Sequence, residues 1–155
     1  MKQSRIAPAT ATQPTGAQES AGPGPAMLWA LIHAAREVED QLDAALGVHG
    51  LSPAKYGVLQ QLAAAGPLTL TDLAGRLSCV RSNVTQLVDR LEADGLVRRE
   101  DDPADRRTVR AVLTALGVQR EAAGAVVVAE IQRDVAAKVP VTARAAFLRA
   151  LSALK

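Results

Sequence analysis

Hydrophobic positions recur at steps of three and four residues along most of the chain, which is the spacing of amphipathic helices. The first such run covers 26–48 and pairs an apolar stripe with a charged face. Ser52 and Pro53 then offer an N-cap and a first-turn proline, so a second helix is predicted after them. Thr69 and Asp72 have the spacing of a capping box and predict the start of a short third helix.

A fourth helix is predicted near Val80–Ala93, after a tight turn at Ser78. Its apolar positions share one face: Val84, Leu87, Val88 and Leu91. The positions on the opposite face are polar. We therefore expect this helix to bury its apolar face and to present a wholly polar face to solvent.

The residues after Gly95 alternate between apolar and polar types, which is the pattern of β-strands. Leu96–Arg99 and Val109–Leu113 are the two predicted strands, and the charged segment 101–107 connects them. The pattern thus predicts a β-hairpin with arginines at its tip.

Two more helices are predicted after the hairpin. Thr114–Val139 is helical in pattern, but 122–129 is apolar nearly all round, which a surface helix tolerates where another chain covers it. Pro140 then interrupts the helical pattern, and Thr142 is the expected N-cap of the last helix. The predicted fold is mainly α with a small β-hairpin, an α+β arrangement, and the uncovered apolar surface predicts a homodimer.

Composition narrows the class of protein. A chain of 155 residues with 48% apolar and 22% charged residues is globular, and its length suits one domain. Residues 1–25 are rich in small and polar types without periodicity, so we expect a flexible tail there. Neither a membrane-spanning run nor a signal-peptide pattern is present, so we expect a cytoplasmic protein without membrane contact.

Several kinds of chemistry are excluded by residue type. Cys79 is the only cysteine and there are two histidines, so neither a disulfide nor a metal site is expected, and no cofactor is implied. No set of nucleophile, base and orienting group emerges either, so we do not expect an enzyme. Aromatic residues make up 2%, too few to stack the bases of single strands, so the expected nucleic-acid partner is a duplex.

Two short helices joined by a tight turn and followed by a hairpin have the order of a winged helix-turn-helix. Five segments carry this order: Leu70–Leu77, Val84–Glu92, Gly95–Arg98, Asp102–Arg107 and Leu113–Gly117. Together they resemble the MarR family of bacterial transcription regulators. The resemblance implies one domain over 26–155, with a winged helix-turn-helix at 52–114 between dimerisation helices at 26–48 and 115–155.

The resemblance also implies a recognition helix that enters the major groove of DNA. Its base-reading positions fall on Ser82, Asn83, Thr85 and Gln86, and its phosphate candidates are Arg81 and Arg90. On the wing, Arg107 would enter the minor groove with its guanidinium oriented by Asp105, and Arg106 would contact a phosphate. The alternatives are an ordinary solvated helix face and a charged turn that keeps the hairpin soluble.

The start of the recognition helix departs from the family pattern. Val80 stands where many members carry a serine or threonine N-cap, so either Ser78 caps an earlier start or the start is poorly capped. Cys79 adjoins this start and the DNA face, which makes it a candidate sensor of oxidants. The alternative for Cys79 is a small buried side chain.

Family position makes Trp29, His33 and Tyr56 candidates for lining an effector cleft. The alternative is that they fill the junction between the dimerisation and DNA-binding regions as core. His33 and Glu37 stand one helical turn apart, but a metal site would need further ligands nearby.

The sequence therefore predicts a ligand-responsive repressor that binds double-stranded DNA as a homodimer on a pseudo-palindromic operator. Two alternatives keep the same fold: a winged-helix protein-interaction module, and an architectural DNA-binding protein without sequence specificity.

Overall fold

The computed structural model describes residues 23–155 apart from Ala104, Arg106 and Lys155. Its elements follow in chain order: α1 (Pro23–Gly47), α2 (Pro53–Ala65), β1 (Leu68–Thr69), α3 (Leu70–Arg76), α4 (Arg81–Ala93), β2 (Val97–Asp101), β3 (Val109–Leu113), α5 (Ala115–Lys138) and α6 (Val141–Ser152). The predicted class, mainly helical with a small sheet, is confirmed. The chain divides into two compact units with their boundary between Ala34 and Ala35.

The first unit is described from Pro23 onward and consists of the opening turns of α1. This helix begins before the predicted start at Ala26, because a proline is tolerated in a first turn, where its missing N–H has no intrahelical partner. The remainder of the predicted tail, 1–22, lies outside the described residues.

In the second unit, helices α2 and α3 begin with the caps that the sequence predicts. The Ser52 hydroxyl accepts a hydrogen bond from the backbone N–H of Lys55 at 3.3 Å, and Pro53 opens α2. The Thr69 hydroxyl accepts from the backbone N–H of Asp72 at 3.1 Å and donates to the Asp72 carboxylate at 2.8 Å. These bonds satisfy N–H groups that a helix start leaves without partners.

The start of α6 differs from the prediction. The helix begins at Val141, with Pro140 at the N-cap position and no side-chain capping bond, so the predicted Thr142 cap is wrong. Pro140 has an extended backbone, with φ −53° and ψ 136°, and the chain turns helical directly after it. Thr142 therefore lies inside the first turn of the helix.

The sheet has three antiparallel strands in the order β1-β3-β2. Strands β2 and β3 pair along their full length, which confirms the hairpin, and β2 extends beyond the predicted Arg99 to Asp101. Strand β1 pairs with β3 opposite Ala111 and Arg110 and was not predicted. Two residues are too few to show the alternation from which a strand is recognised.

The core lies between α2, α3, α4 and the sheet. Its buried residues are Leu46, Leu51, Tyr56, Val58, Leu59, Leu62, Leu68, Leu73, Ala74, Val84, Val88, Leu91, Leu96, Val97 and Ala111. Helix α6 buries none of its residues. Among the described residues, no helix is both long and apolar enough to cross a membrane.

Helix α5 approaches the start of the hairpin at Gly117. A Cβ added at Gly117 would lie 2.0 Å from the carbonyl oxygen of Leu96 and 3.2 Å from the side chain of Leu113. The Thr114 hydroxyl accepts a hydrogen bond from the Gly117 N–H at 3.0 Å and donates to the Gly95 carbonyl at 2.7 Å, with the Leu96 carbonyl oxygen 3.2 Å away. Glycine therefore allows the first turn of α5 to lie against the backbone of the wing.

Replacement of Gly117 by alanine is expected to lower the free energy of unfolding by about 3 kcal/mol, the upper end of overpacking costs, because the obstacle is backbone. Gly75→Ala in α3 is the matched control: nothing lies within 4 Å of the added methyl group, and alanine favours a helix. Urea unfolding followed by circular dichroism measures both. A Gly117→Ala protein as stable as the wild type would contradict the close approach.

Candidate nucleic-acid interface

Helix α4 separates apolar and polar side chains between its two faces. Val84, Val88 and Leu91 are at most 1% exposed and lie in the core. Five of the six predicted DNA-contacting positions of this helix are exposed: Arg81, Ser82, Asn83, Gln86 and Arg90. Hydrogen-bonding side chains and two guanidinium groups therefore share one outward face, as a helix that reads a major groove requires.

Thr85, the sixth predicted position, is half-buried. Its hydroxyl donates a hydrogen bond to the backbone carbonyl of Arg81 at 3.0 Å. This bond keeps the hydroxyl against its own helix. Its predicted base contact would use the oxygen as an acceptor or require the side chain to rotate.

The start of α4 lacks a side-chain cap. Val80 occupies the N-cap position with φ −70° and ψ 143°, so of the two sequence-based alternatives the poorly capped start is the one observed. Ser78 instead makes the turn between α3 and α4, with a positive φ of 50°.

Cys79 is exposed, so the alternative of a buried side chain is wrong. It lines a cavity of about 280 Å³ together with the reading positions Asn83 and Gln86 and with Arg90. The thiol therefore lies on the predicted DNA face, and its role as an oxidant sensor stays a prediction.

Where β2 and β3 end, the loop of the wing is closed by an ion pair that no sequence pattern indicated. The Asp102 carboxylate, on a residue 7% exposed, accepts a hydrogen bond from Nε of Arg110 at 2.7 Å. The backbone N–H of Asp102 donates to the carbonyl of Thr108 at 2.8 Å. Asp102 therefore pairs with an arginine of β3.

Asp105 fixes the backbone of the wing tip. Its carboxylate accepts hydrogen bonds from the backbone N–H of Arg107 and from the hydroxyl of Thr108, both at 3.0 Å. The predicted contact was with the guanidinium of Arg107, and the observed one is with its backbone. The Arg107 side chain is exposed at the tip, and the predicted phosphate contact, Arg106, lies outside the described residues.

Helix and wing arginines line the same groove. Arg81 of α4 and Arg107 of the wing border a cavity of about 640 Å³, with Thr69, Thr71 and Thr108 among its other lining residues. The two predicted arms of the site are thus brought together. The two guanidinium groups provide positive charge and hydrogen-bond donors for a phosphate backbone along this groove.

Arg99 also borders this groove and joins β2 to α4. Its guanidinium donates to Asp89 at 2.5 Å and to Glu92, and its backbone N–H donates to Glu92 at 3.3 Å. The hydrogen bond with Asp89 raises the pKa of Arg99 above its ordinary value. The sequence signal was the spacing of Asp89 and Glu92, three residues apart on one helix face.

The predicted effector residues have different surroundings. The rings of Trp29 and His33 have centroids 6.3 Å apart, and both residues are exposed. Tyr56 is buried at 7% exposure, which agrees with the core alternative, and a Cβ added at Gly124 would lie 2.7 Å from its ring. Burial, reinforced by the charge of Glu121, raises the pKa of Tyr56. A shared effector cleft stays a prediction.

Comparison with known proteins finds a family match for the central part of the chain. Residues 51–109, which contain the helix-turn-helix, strand β2 and the loop of the wing, match the family model of the MarR family. This segment is a MarR-family domain.

Within the described residues of the chain, no group of three or more His, Cys, Asp or Glu side chains is arranged to hold a metal ion.

Relatives of the MarR-family domain include YkoM of Bacillus subtilis, named an uncharacterized HTH-type transcriptional regulator. It is 44% identical over 69 residues, which are 44% of this chain and 45% of YkoM. The chain spans about half the length of the curated relatives that it matches first.

Solved structures resemble more of the chain. Sco3205 of Streptomyces coelicolor, a MarR family transcriptional regulator solved in complex with DNA, is 29% identical with a TM-score of 0.80, covering 86% of this chain and 89% of its own. PcaV of the same organism, solved with its natural ligand, shares the fold at 23% identity and a TM-score of 0.68, covering 79% and 89%.

A serine at the uncapped start of α4 is expected to stabilise the MarR-family domain. Val80 is 63% exposed, so Val80→Ser loses little packing and gains an acceptor for a free N–H of the helix. Relative to the control Val80→Ala, the serine variant should raise the free energy of unfolding by about 1 kcal/mol. Thermal and urea unfolding measure the difference, and equal stability of the two variants would contradict an uncapped start.

Proposed function

We propose that this protein is a transcription regulator that binds double-stranded DNA as a homodimer, with α4 in the major groove and the wing at the adjacent minor groove. The observation that carries this proposal is the groove bordered by Arg81 and Arg107 beside the exposed polar face of α4. The DNA complex reported for Sco3205, at 29% identity over most of both chains, supports the same use of the fold.

The exposed face of α4 supplies two kinds of contact. Asn83 and Gln86 carry amides, which can bond an adenine edge in two places, and Ser82 carries a hydroxyl that pairs with any base. Arg81 and Arg90 place positive charge beside these groups for the phosphates. The contacts with base edges provide specificity, and the arginine contacts with phosphates provide affinity and register.

The wing supplies a third contact. The Asp105 carboxylate accepts hydrogen bonds from the Arg107 backbone and the Thr108 hydroxyl, and the side chain of Arg107 is exposed beside them. An arginine at a minor groove responds to the width of that groove, which depends on DNA sequence. The wing therefore adds specificity at the flanks of the site, and Arg106 is proposed to bind a phosphate there.

Dimer formation is proposed from apolar surface that one chain leaves uncovered. Phe147, Leu148 and Leu154 of the α6 segment are 47%, 63% and 66% exposed. Phe147 also lines an apolar cavity of about 340 Å³ with residues of α1 and α5 that include Leu42 and Ile131. Exposed apolar side chains beside an apolar cavity are typical of an interface between chains.

Regulation is proposed to act through the spacing of the two recognition helices. Two half-sites on one face of a duplex lie about one helical turn apart, so a dimer binds when its two α4 helices have that separation. A small-molecule effector that changes the separation would release the operator. The structure of PcaV with its natural ligand shows that this fold can hold a small molecule. We propose a ligand-responsive repressor on this basis.

The direct test is footprinting with the full chain on the DNA upstream of its own gene. Protection of a pseudo-palindromic site, lost on scrambling its sequence, is the expected result. Uniform binding to any duplex would favour the architectural alternative. No binding to either duplex at low salt would overturn the proposal and favour a protein-interaction role.

The helix and wing contacts are expected to respond differently to truncation. Asn83→Ala and Gln86→Ala should each cost about 1–3 kcal/mol on the protected site and little on scrambled duplex. Arg81→Ala should weaken binding to both and reduce the salt slope by about 0.9. Arg107→Ala should lose most affinity where A·T-rich flanks narrow the minor groove. Fluorescence anisotropy titrations at several salt concentrations measure these effects.

Arg133→Ala is the matched control for the loss of one positive charge. Arg133 lies on α5 with its side chain 75% exposed and interacts with Glu130 of the same helix. Its removal should leave the salt slope unchanged. Equal losses for Arg133→Ala and Arg81→Ala would show that net charge, and not the groove, sets the affinity.

The full chain is expected to sediment at twice the mass of one chain. Phe147→Asp should shift this equilibrium towards monomer, because it places a charge on uncovered apolar surface. Ala145→Asp makes the same charge change at an exposed α6 position that does not line the apolar cavity, and should leave the dimer intact. A folded wild-type monomer at micromolar concentration in sedimentation equilibrium would contradict the dimer.

A further inference from the structure

The three-residue cluster of Arg99, Asp89 and Glu92, here called the clamp, connects the recognition helix to the wing. Arg99 lies in the middle of β2, opposite Ala111 of β3. Its two terminal nitrogens contact the two carboxylates of α4, and its backbone N–H contacts Glu92 as well. Three hydrogen bonds to two residues define an orientation between helix and strand that a single contact would not define.

The first carboxylate of the clamp, Asp89, follows the reading position Gln86 by about one helical turn. Asn83, Gln86 and Asp89 follow one another at steps of three residues, so they form one stripe along the helix. The first two are exposed for contact, and the third is held by Arg99. The position of the stripe relative to the wing is therefore set at its C-terminal end.

The core holds the other side of the same junction. Leu91 of α4 and Val97 of β2 are both at most 1% exposed in the core. Apolar packing is non-directional and admits small rotations of a helix. Charge-assisted hydrogen bonds on the solvent side are directional, so the clamp restricts the rotation that the core leaves open.

Arg99 borders the proposed DNA groove, so direct phosphate binding is the competing role. Its side chain is 28% exposed, and both terminal nitrogens already donate to carboxylates. The clamp holds two carboxylates against one guanidinium, so its net charge is negative and repels phosphate. The raised pKa of Arg99 has the same origin, its hydrogen bond with Asp89.

We propose that Arg99 is a positioning residue for DNA reading, which fixes the orientation of α4 relative to the wing without itself binding DNA. This inference rests on the proposed function. Exposed ion pairs contribute little to stability, so loss of the clamp should affect specificity more than folding.

The test compares three variants of the full chain on two duplexes, one selected by the wild-type protein from a random-sequence library and one scrambled duplex of equal composition. Arg99→Gln removes the guanidinium that β2 contributes to the clamp. The double variant Asp89→Asn, Glu92→Gln removes the two carboxylates that α4 contributes. Arg98→Gln is the matched control, since Arg98 also lies on β2 but its carboxylate partner, Glu100, is on the same strand.

Arg99→Gln is expected to reduce the ratio of selected to scrambled affinity about tenfold, and Arg98→Gln to leave it unchanged. The Asp89→Asn, Glu92→Gln variant is the decisive one. It should bind scrambled duplex more tightly, because two negative charges are lost, and still lose the same specificity ratio. Hydrogen exchange of the free protein should become faster in β2 and the second half of α4 and stay unchanged in α5.

Three results would overturn the inference. An unchanged ratio in Arg99→Gln would show that orientation does not depend on the clamp. Equal losses on both duplexes with a smaller salt slope, and no loss in the carboxylate variant, would make Arg99 a phosphate ligand. A wild-type protein that selects no duplex would overturn the proposed function as well, whereas the first two results leave that function intact.

Discussion

Burial of Val84, Val88 and Leu91 is the constraint on which the proposed DNA interface depends. Burying side chains of this size contributes roughly 1.5–3 kcal/mol each. A rotation of α4 by one position, roughly 100°, would bring them into water and carry its amides towards the core. The core therefore decides which face of α4 is outside. The chemistry of the interface follows, since Asn83 and Gln86 occupy that outward face.

In the wing, charged groups constrain the structure as apolar groups do in α4. A buried carboxylate is costly unless it is paired, and Asp102 meets this requirement with Arg110. The Asp105 carboxylate accepts a hydrogen bond from the backbone N–H of Arg107. Asp102 and Asp105 thus stabilise the shape of the hairpin, and the side chain of Arg107 is exposed at its tip.

Local signals explain what the sequence predicted, and long-range contacts explain what it missed. The cap at Thr69 and the polar face of α4 depend on residues within a turn of each other, so spacing was sufficient. The Thr142 cap failed although its side chain is suitable, because the chain is already helical at Val141. The bond of Arg99 to Asp89 and the pairing of Asp102 with Arg110 depend on how separate elements pack, which a residue pattern does not contain.

Buried apolar surface is distributed unevenly, so the proposed DNA-reading face and the proposed dimer interface depend on different parts of the chain. The core of the second unit stabilises α2, α3, α4 and the sheet, whereas α6 buries nothing within one chain. In the proposed dimer, the reading face is therefore fixed inside each subunit, while the distance between two such faces depends on surfaces that form on association. An effector that acts on those surfaces changes the separation of the two α4 helices without changing the contacts that each helix makes with its own wing. Regulation of this kind would alter operator affinity and leave the preferred half-site sequence unchanged.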